Sequence, residues 1–124
     1  MAKVSLLVDT DIFIDYFNTG RFHALFDSHR FTVYYSVITK KELLTKPGLR
    51  DTERESILAE LNRCRLIALS DSITARYSDL RRRHPSLDKG DALIAATALV
   101  KRLPLMTRNK RHFQMVAGLI LFGE

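Results

Sequence analysis

The chain has 124 residues, 46% of them apolar, a lone cysteine and a formal net charge of +6. These totals fit one domain with a real core, and they exclude a disordered chain and a disulfide scaffold. No apolar run reaches the roughly 18 residues of a membrane span, and charge returns at Asp9, too early for a secretory signal, so a cytoplasmic protein is expected. Cys64, just ahead of an apolar run, reads as a small buried residue and not a nucleophile.

VSLLV (4–8) is an apolar, β-branched run that reads as a buried strand. From Asp9, the residues Ile12, Phe13 and Tyr16 fall at helical spacing, with Asp9 or Thr10 as cap. Gly20 separates a second helical stretch (21–28), and FTVYY (31–35) is the next strand. TKKELLTK (39–46) reads as a helix stopped by Pro47-Gly48, and 51–64 as a strong helix capped by Asp51 or Thr52. RLIAL (65–69) is a third strand, followed by a helix over 73–84 capped by Ser70 or Asp71 and ended by Pro85. The Ala-rich segment 90–102 is an apolar helix suited to close packing. PLMT (104–107) and GLILF (118–122) are the last two strands, joined by a short helix around 109–116. Strands alternating with helices predict a three-layer α/β/α sandwich, residues 1–124 as a single domain, with a mostly parallel sheet of about five strands.

In open α/β sheets, ligands bind beyond the carboxyl ends of the strands. Asp9 follows the first strand, and Ser36, Thr39 and Glu42 follow the second. Thr107 and Asn109 follow PLMT. Asp91 opens the helix before PLMT, and simple topology does not place it with the others. Each acid also has a plain explanation. Asp9 suits an N-cap, Thr39 to Glu42 suits a capping box, and Asp91 suits a cap for a helix starting at Ala92. Together the acids fare worse under that explanation, because carboxylates beside apolar segments are costly unless paired, protonated or metal-bound. Three carboxylates sharing a site repel, and a hard divalent cation, Mg²⁺ or Mn²⁺, resolves the repulsion. Zinc is disfavoured, since no Cys or His pair shows ligand spacing. The four histidines are scattered; His112 lies near Asn109, within reach of a substrate phosphate, but a surface role is the simpler expectation.

Basic residues gather around these acids: Lys40 and Lys41 before Glu42, Lys89 before Asp91, and Arg108, Lys110 and Arg111 around Asn109. An acidic, metal-binding centre with a basic surround suits phosphodiester chemistry. The run RRRH (81–84), at a helix C-terminus, complements the helix dipole instead.

VDTDIFIDYF, SVITKKELL, KGDALIAATAL and LMTRNKRHF, in this order, resemble the four signature segments of PIN domains, most closely the VapC toxins of toxin–antitoxin systems. The resemblance covers nearly the whole chain. It implies a Mg²⁺-dependent endoribonuclease with Asp9, Asp91 and Glu42 as metal ligands. Asn109 stands at the fourth position, where PIN domains often carry Asp. Thr107, Arg108 and Lys41 would line the pocket, with Asp88 at its mouth. It also implies an RNA substrate, an antitoxin partner and a homodimer; the apolar face of Ile12, Phe13, Tyr16 and Phe17 suits either contact, while Ile12 and Phe13 read equally well as core. Asp11 reads as a structural residue in the first helical turn, roughly 200° from Asp9 around a helix.

Three other readings compete. Asp9-Thr10-Asp11 resembles the nucleophile motif of haloacid dehalogenase-like phosphatases, but continues with Ile12-Phe13 instead of Gly-Thr. A response-regulator receiver lacks its Lys after the last strand. A non-catalytic nucleic-acid-binding module is opposed by the joint presence of Asp9, Glu42 and Asp91.

Overall fold

The computed structural model describes residues 3–123. Strand β1 (Val4–Val8) is followed by helices α1 (Thr10–Thr19) and α2 (His23–Asp27) and by strand β2 (Phe31–Ser36). Helices α3 (Val37–Leu44) and α4 (Asp51–Asn62) lead to β3 (Arg65–Ile67). Helices α5 (Asp71–Arg83) and α6 (Lys89–Lys101), strand β4 (Leu105–Met106) and helix α7 (Lys110–Phe113) complete the order. The four strands form one parallel sheet in the order β3-β2-β1-β4.

The layers follow from strand alternation. In β1, Leu6, Leu7 and Val8 are all buried, but successive side chains point to opposite faces. Leu6 and Val8 join Ile12, Phe13, Phe26, Tyr35 and Ile57 beneath α1–α4. Leu7 joins Ile73, Leu80, Ile94 and Phe113 beneath α5–α7. A strand buried on both faces needs an unbroken apolar run, which Leu6-Leu7-Val8 supplies. On the second face Ala92, Ala95, Ala96 and Ala98 are essentially inaccessible, so α6 packs its backbone close to its neighbours.

The expected fifth strand is reduced to one bridge. Leu105 N donates to Ile120 O and Phe122 N donates to Leu105 O, both at 2.8 Å, which pairs Leu121 with Leu105 in parallel. The pairing goes no further because the Leu119 N–H is used in a turn to Val116 O, while past Met106 the partner chain leaves the sheet.

The caps of α3 and α4 differ from expectation, and that of α5 does not. Ser36, not Thr39, caps α3, accepting from Thr39 N at 3.4 Å. Arg50 precedes α4, and the Glu53 carboxylate accepts from Arg50 N at 3.1 Å. Ser70 caps α5, accepting from Ile73 N at 3.2 Å. The basic run behind α5 is structural: Arg82 and Arg83 pair with Asp79, and Arg81 donates to Leu87 O in the loop before α6. Cys64 is partly buried beside the first core, and burial pushes its thiol up to about 12, far from a reactive thiolate.

The topology settles the place of Asp91, which element order had left open. A helix that feeds a parallel strand must end at that strand's amino edge, so it begins at the carboxyl edge. Only three residues separate α6 from β4, and α5 packs against α6 as a helical hairpin. Asp91, in the first turn of α6, is thereby carried to the side of the sheet where β1 and β2 end.

Candidate active site

The centre is Asp9. Its backbone N donates to Met106 O at 2.9 Å, which ties it between β1 and β4. Its side chain is the N-cap of α1, and Oδ1 accepts from Thr10 N at 2.7 Å. Oδ2 accepts from Thr107 Oγ1 at 2.6 Å. The capping and active-site explanations of Asp9 are therefore compatible, since one oxygen caps and the other faces the end of β4. The residue is only 4% exposed, and its carboxyl is pushed up to about 7, first by burial and then by the neighbouring charge of Asp11, with a smaller push from Asp91. The hydrogen bonds from Thr107 and Thr10 oppose the shift without cancelling it.

Thr10 links Asp9 to Glu42. Its hydroxyl donates to Glu42 Oε1 at 2.7 Å and lies 2.9 Å from Thr39 Oγ1. A hydroxyl has one proton, so Thr39 is the donor to Thr10, and a directed chain Thr39–Thr10–Glu42 results. Glu42 thus has no capping-box role: it is an exposed carboxylate steered by two buried threonines.

Gly90 brings the next two acids together. A Cβ placed there would stand 3.3 Å from both Asp88 Oδ2 and Glu42 Oε2, tighter than ordinary contact. The missing side chain leaves a cradle in which Asp88 and Glu42 lean over the start of α6. Asp91 follows. Its carboxyl is raised by burial and by Asp88, against a hydrogen bond from His112, whose Nδ1 lies 3.3 Å from Asp91 Oδ2.

Asp11 requires a correction. Thr107 Oγ1, bonded to Asp9, also lies 3.4 Å from Asp11 Oδ2. The angular separation expected on a helix does not apply, because Asp9 is extended, with φ −71° and ψ 156°. Asp11 accepts from Arg108 N at 3.2 Å and from Asn109 Nδ2 at 3.0 Å. Its own carboxyl is raised, chiefly by burial. The exposed Asn109 is therefore held on the rim by Asp11. The Arg108 guanidinium lies 2.9 Å from Asp15 Oδ1, so its charge is drawn to α1. Lys41 is exposed on α3, next to Glu42.

The structure thus gathers Asp9, Thr10, Glu42, Asp91 and Thr107 at one edge, with Asn109 and Arg108 on the rim. Asp11, Gly90 and His112 are added to the expected set. Gly90 had a detectable signal, a glycine inside a helical pattern beside two acids; His112 had none beyond its nearness to Asn109.

Among the described residues, no three Asp, Glu, His or Cys side chains close into a metal cage. The donor chemistry fits a more open arrangement. Mg²⁺ uses one or two carboxylates and keeps several waters, whereas a closed cage suits other ions. The cradle at Gly90 and three carboxyls raised together, at Asp9, Asp11 and Asp91, describe an oxygen-rich, negatively strained pocket that a hard cation would relieve.

Residues 6–119 match the family model described as PIN domain. Ribonuclease VapC1 of Methanocaldococcus jannaschii is 32% identical over 114 residues, covering 88% of this chain and 79% of its own. A chain in a toxin–antitoxin complex from Klebsiella pneumoniae is 32% identical, with a TM-score of 0.74 over 93% of this chain and 95% of that one. VapBC2 from Rickettsia felis, solved bound to a DNA fragment from its promoter, has a chain with the same fold: TM-score 0.82 at 23% identity, over 96% and 98% of the two chains.

Proposed function

We propose a function from one premise: this chain belongs to the PIN domain family. It is an endoribonuclease, the toxin of a toxin–antitoxin pair, and it hydrolyses RNA phosphodiester bonds with the help of Mg²⁺ or Mn²⁺. The observation that carries the reading is Asp9, a carboxyl buried at the end of β1 and pushed up to about 7 beside further acids. Such a group is expensive as structure and useful as a cation ligand. The likeness to a ribonuclease over most of both chains supports the reaction class.

Asp9 and Asp91 would hold the cation, with Glu42 as third donor, Asp88 beside it in the Gly90 cradle and Asn109 at the rim. Bound Mg²⁺ supplies an acidified water and neutralises charge on the phosphate. The chain's own residues prepare the rest. Thr107 and the Thr10 backbone fix both Asp9 oxygens. The Thr39–Thr10 pair aims Glu42, which, with Asp91, is a candidate to accept a proton from water. Lys41, Lys89 and Arg111 lie close to the acids in sequence and would hold flanking phosphates, while Arg108 is paired with Asp15.

The antitoxin partner fits a groove between α1, α3 and α4. Ile14, Phe17, Leu43, Leu49 and Ile57 line it, and Glu42 stands on its border, so an occupant would reach the acidic pocket. This differs from the expected surface: Ile12 and Phe13 are 1% and 0% exposed and belong to the core, and Tyr16 packs on Phe26 outside the groove. A homodimer is the assembly the family resemblance implies. No helix among the described residues is long and apolar enough to cross a membrane.

The test is cleavage of mixed cellular RNA by the purified protein, with Mg²⁺ or Mn²⁺ and with EDTA. Metal-dependent cleavage is expected. Silence on every RNA offered, with phosphatase activity that depends on Asp11, would replace this reading with the phosphatase one. Tight RNA binding without cleavage would replace it with a binding module.

Gly90→Ala is a quieter check on the cradle. Stability should stay within about 1 kcal/mol, because helix propensity favours Ala. Cleavage should fall several-fold, because Asp88 and Glu42 must each shift by a few tenths of an ångström. Urea melts and initial rates read the two effects separately; unchanged rates would deny the cradle a role.

A further inference from the structure

We infer that His112 is a positioning residue that holds the Asp91 carboxylate in its ligating orientation; this rests on the metal-dependent reading above. The ring is placed by its neighbours in the chain. Phe113 and Val116 are 1% and 4% exposed and anchor the α7 region in the core beneath α6. His112 N donates to Asn109 O at 2.9 Å, closing the turn that starts α7. The imidazole is thereby set against the first turn of α6, with Nδ1 3.3 Å from Asp91 Oδ2.

The geometry divides the labour of the carboxylate. Oδ2 receives the imidazole N–H, and Oδ1 is left to a cation. The bond needs a proton on Nδ1, which the Nδ1-protonated neutral ring and the imidazolium both carry. Asp88 lies within the field of Asp91 and raises its carboxyl, so a donor on Asp91 also opposes a like charge. Donors behind metal-ligating groups fix their orientation, and their loss typically costs about 10–100-fold in metal affinity.

Three variants separate the ring's two nitrogens. In His112→Asn the amide N–H replaces Nδ1, in His112→Gln it replaces Nε2, and His112→Ala removes both. The readout is Mn²⁺ affinity of the RNA-free protein, by electron paramagnetic resonance or calorimetry, beside a thermal melt of each variant. His112 is more than half exposed, so all three should fold. Mn²⁺ binding should weaken about 10–100-fold in the Ala and Gln variants and stay within about threefold of wild type in the Asn variant. Equal affinity in His112→Ala, or rescue by Gln as good as by Asn, would overturn the positioning role while leaving the metal site standing. A wild-type protein that binds no Mn²⁺ would overturn the proposed function and this inference with it.

Discussion

Asp9→Asn is expected to abolish RNA cleavage, by at least about 10²-fold, while making the metal-free protein more stable at neutral and higher pH. Both effects come from one carboxyl. Asp9 is buried and its folded value is raised from 3.8 to about 7. A group whose folded pKa lies above its unfolded value contributes stability that is complete below the unfolded pKa. That contribution is lost as pH climbs through the folded one. The metal-free wild type should therefore weaken between about pH 4 and pH 7, by at most about 4 kcal/mol for a shift of that size. Asparagine does not ionise, so the variant should lack this loss. It can still accept from Thr10 N, and the Thr107 hydroxyl can turn to accept from its amide. Some slope should persist, since Asp11 and Asp91 are raised as well. Urea denaturation in EDTA at pH 5 and pH 8 checks the stability half. A variant as pH-sensitive as the wild type, or less stable than it at pH 8, would show that Asp9 is not the costly group.

Adding Mg²⁺ or Mn²⁺ is expected to raise the melting temperature substantially, and Asp9→Asn or Asp91→Asn should erase most of the gain. At a concentration 100 times the dissociation constant, a ligand specific to the folded state adds about 2.7 kcal/mol. For a domain of this size that corresponds to roughly 10 °C. Protons compete with the cation for Asp9, so the gain should be larger at pH 8 than at pH 6. Asp11→Asn should retain most of it. The Asp11 carboxylate is occupied by Arg108 N and Asn109 Nδ2, and an amide oxygen can accept from the same donors. Scanning fluorimetry of the four proteins with and without cation decides it. A melting temperature indifferent to millimolar cation would remove the metal from the proposal.

The layered fold was readable because it depends on local pattern. VSLLV and FTVYY are apolar runs bounded by caps and turns, and both become neighbouring parallel strands. The spacing of Ile12, Phe13 and Tyr16 announced α1, and Ser70 its capping role before α5. Errors fell where a local signal was degenerate. Thr39 and Ser36 both suit a helix start, and the choice went to Ser36 because β2 runs straight into α3. GLILF has strand composition, but only Leu105 is available to pair with Leu121.

What the chain determines by itself is the kind of chemistry: oxygen donors, no thiol or imidazole pair, a basic surround, and acids placed just after apolar strands. Which of those acids meet is a tertiary matter. Asp9 and Thr107 are 98 positions apart and share one hydrogen bond; Thr10 reaches Glu42 across 32 positions. Asp11 lies in the first helical turn as expected, but its nearness to Asp9 was hidden, because a helical wheel does not carry across a residue that is still extended. Asp91 was reached from the sequence only through the family resemblance, because element order alone does not show where α6 delivers the chain. Periodicity reports which face of an element is buried, but not which elements become neighbours. Long-range packing decided that, and with it the burial that lifts Asp9 and the contact between His112 and Asp91.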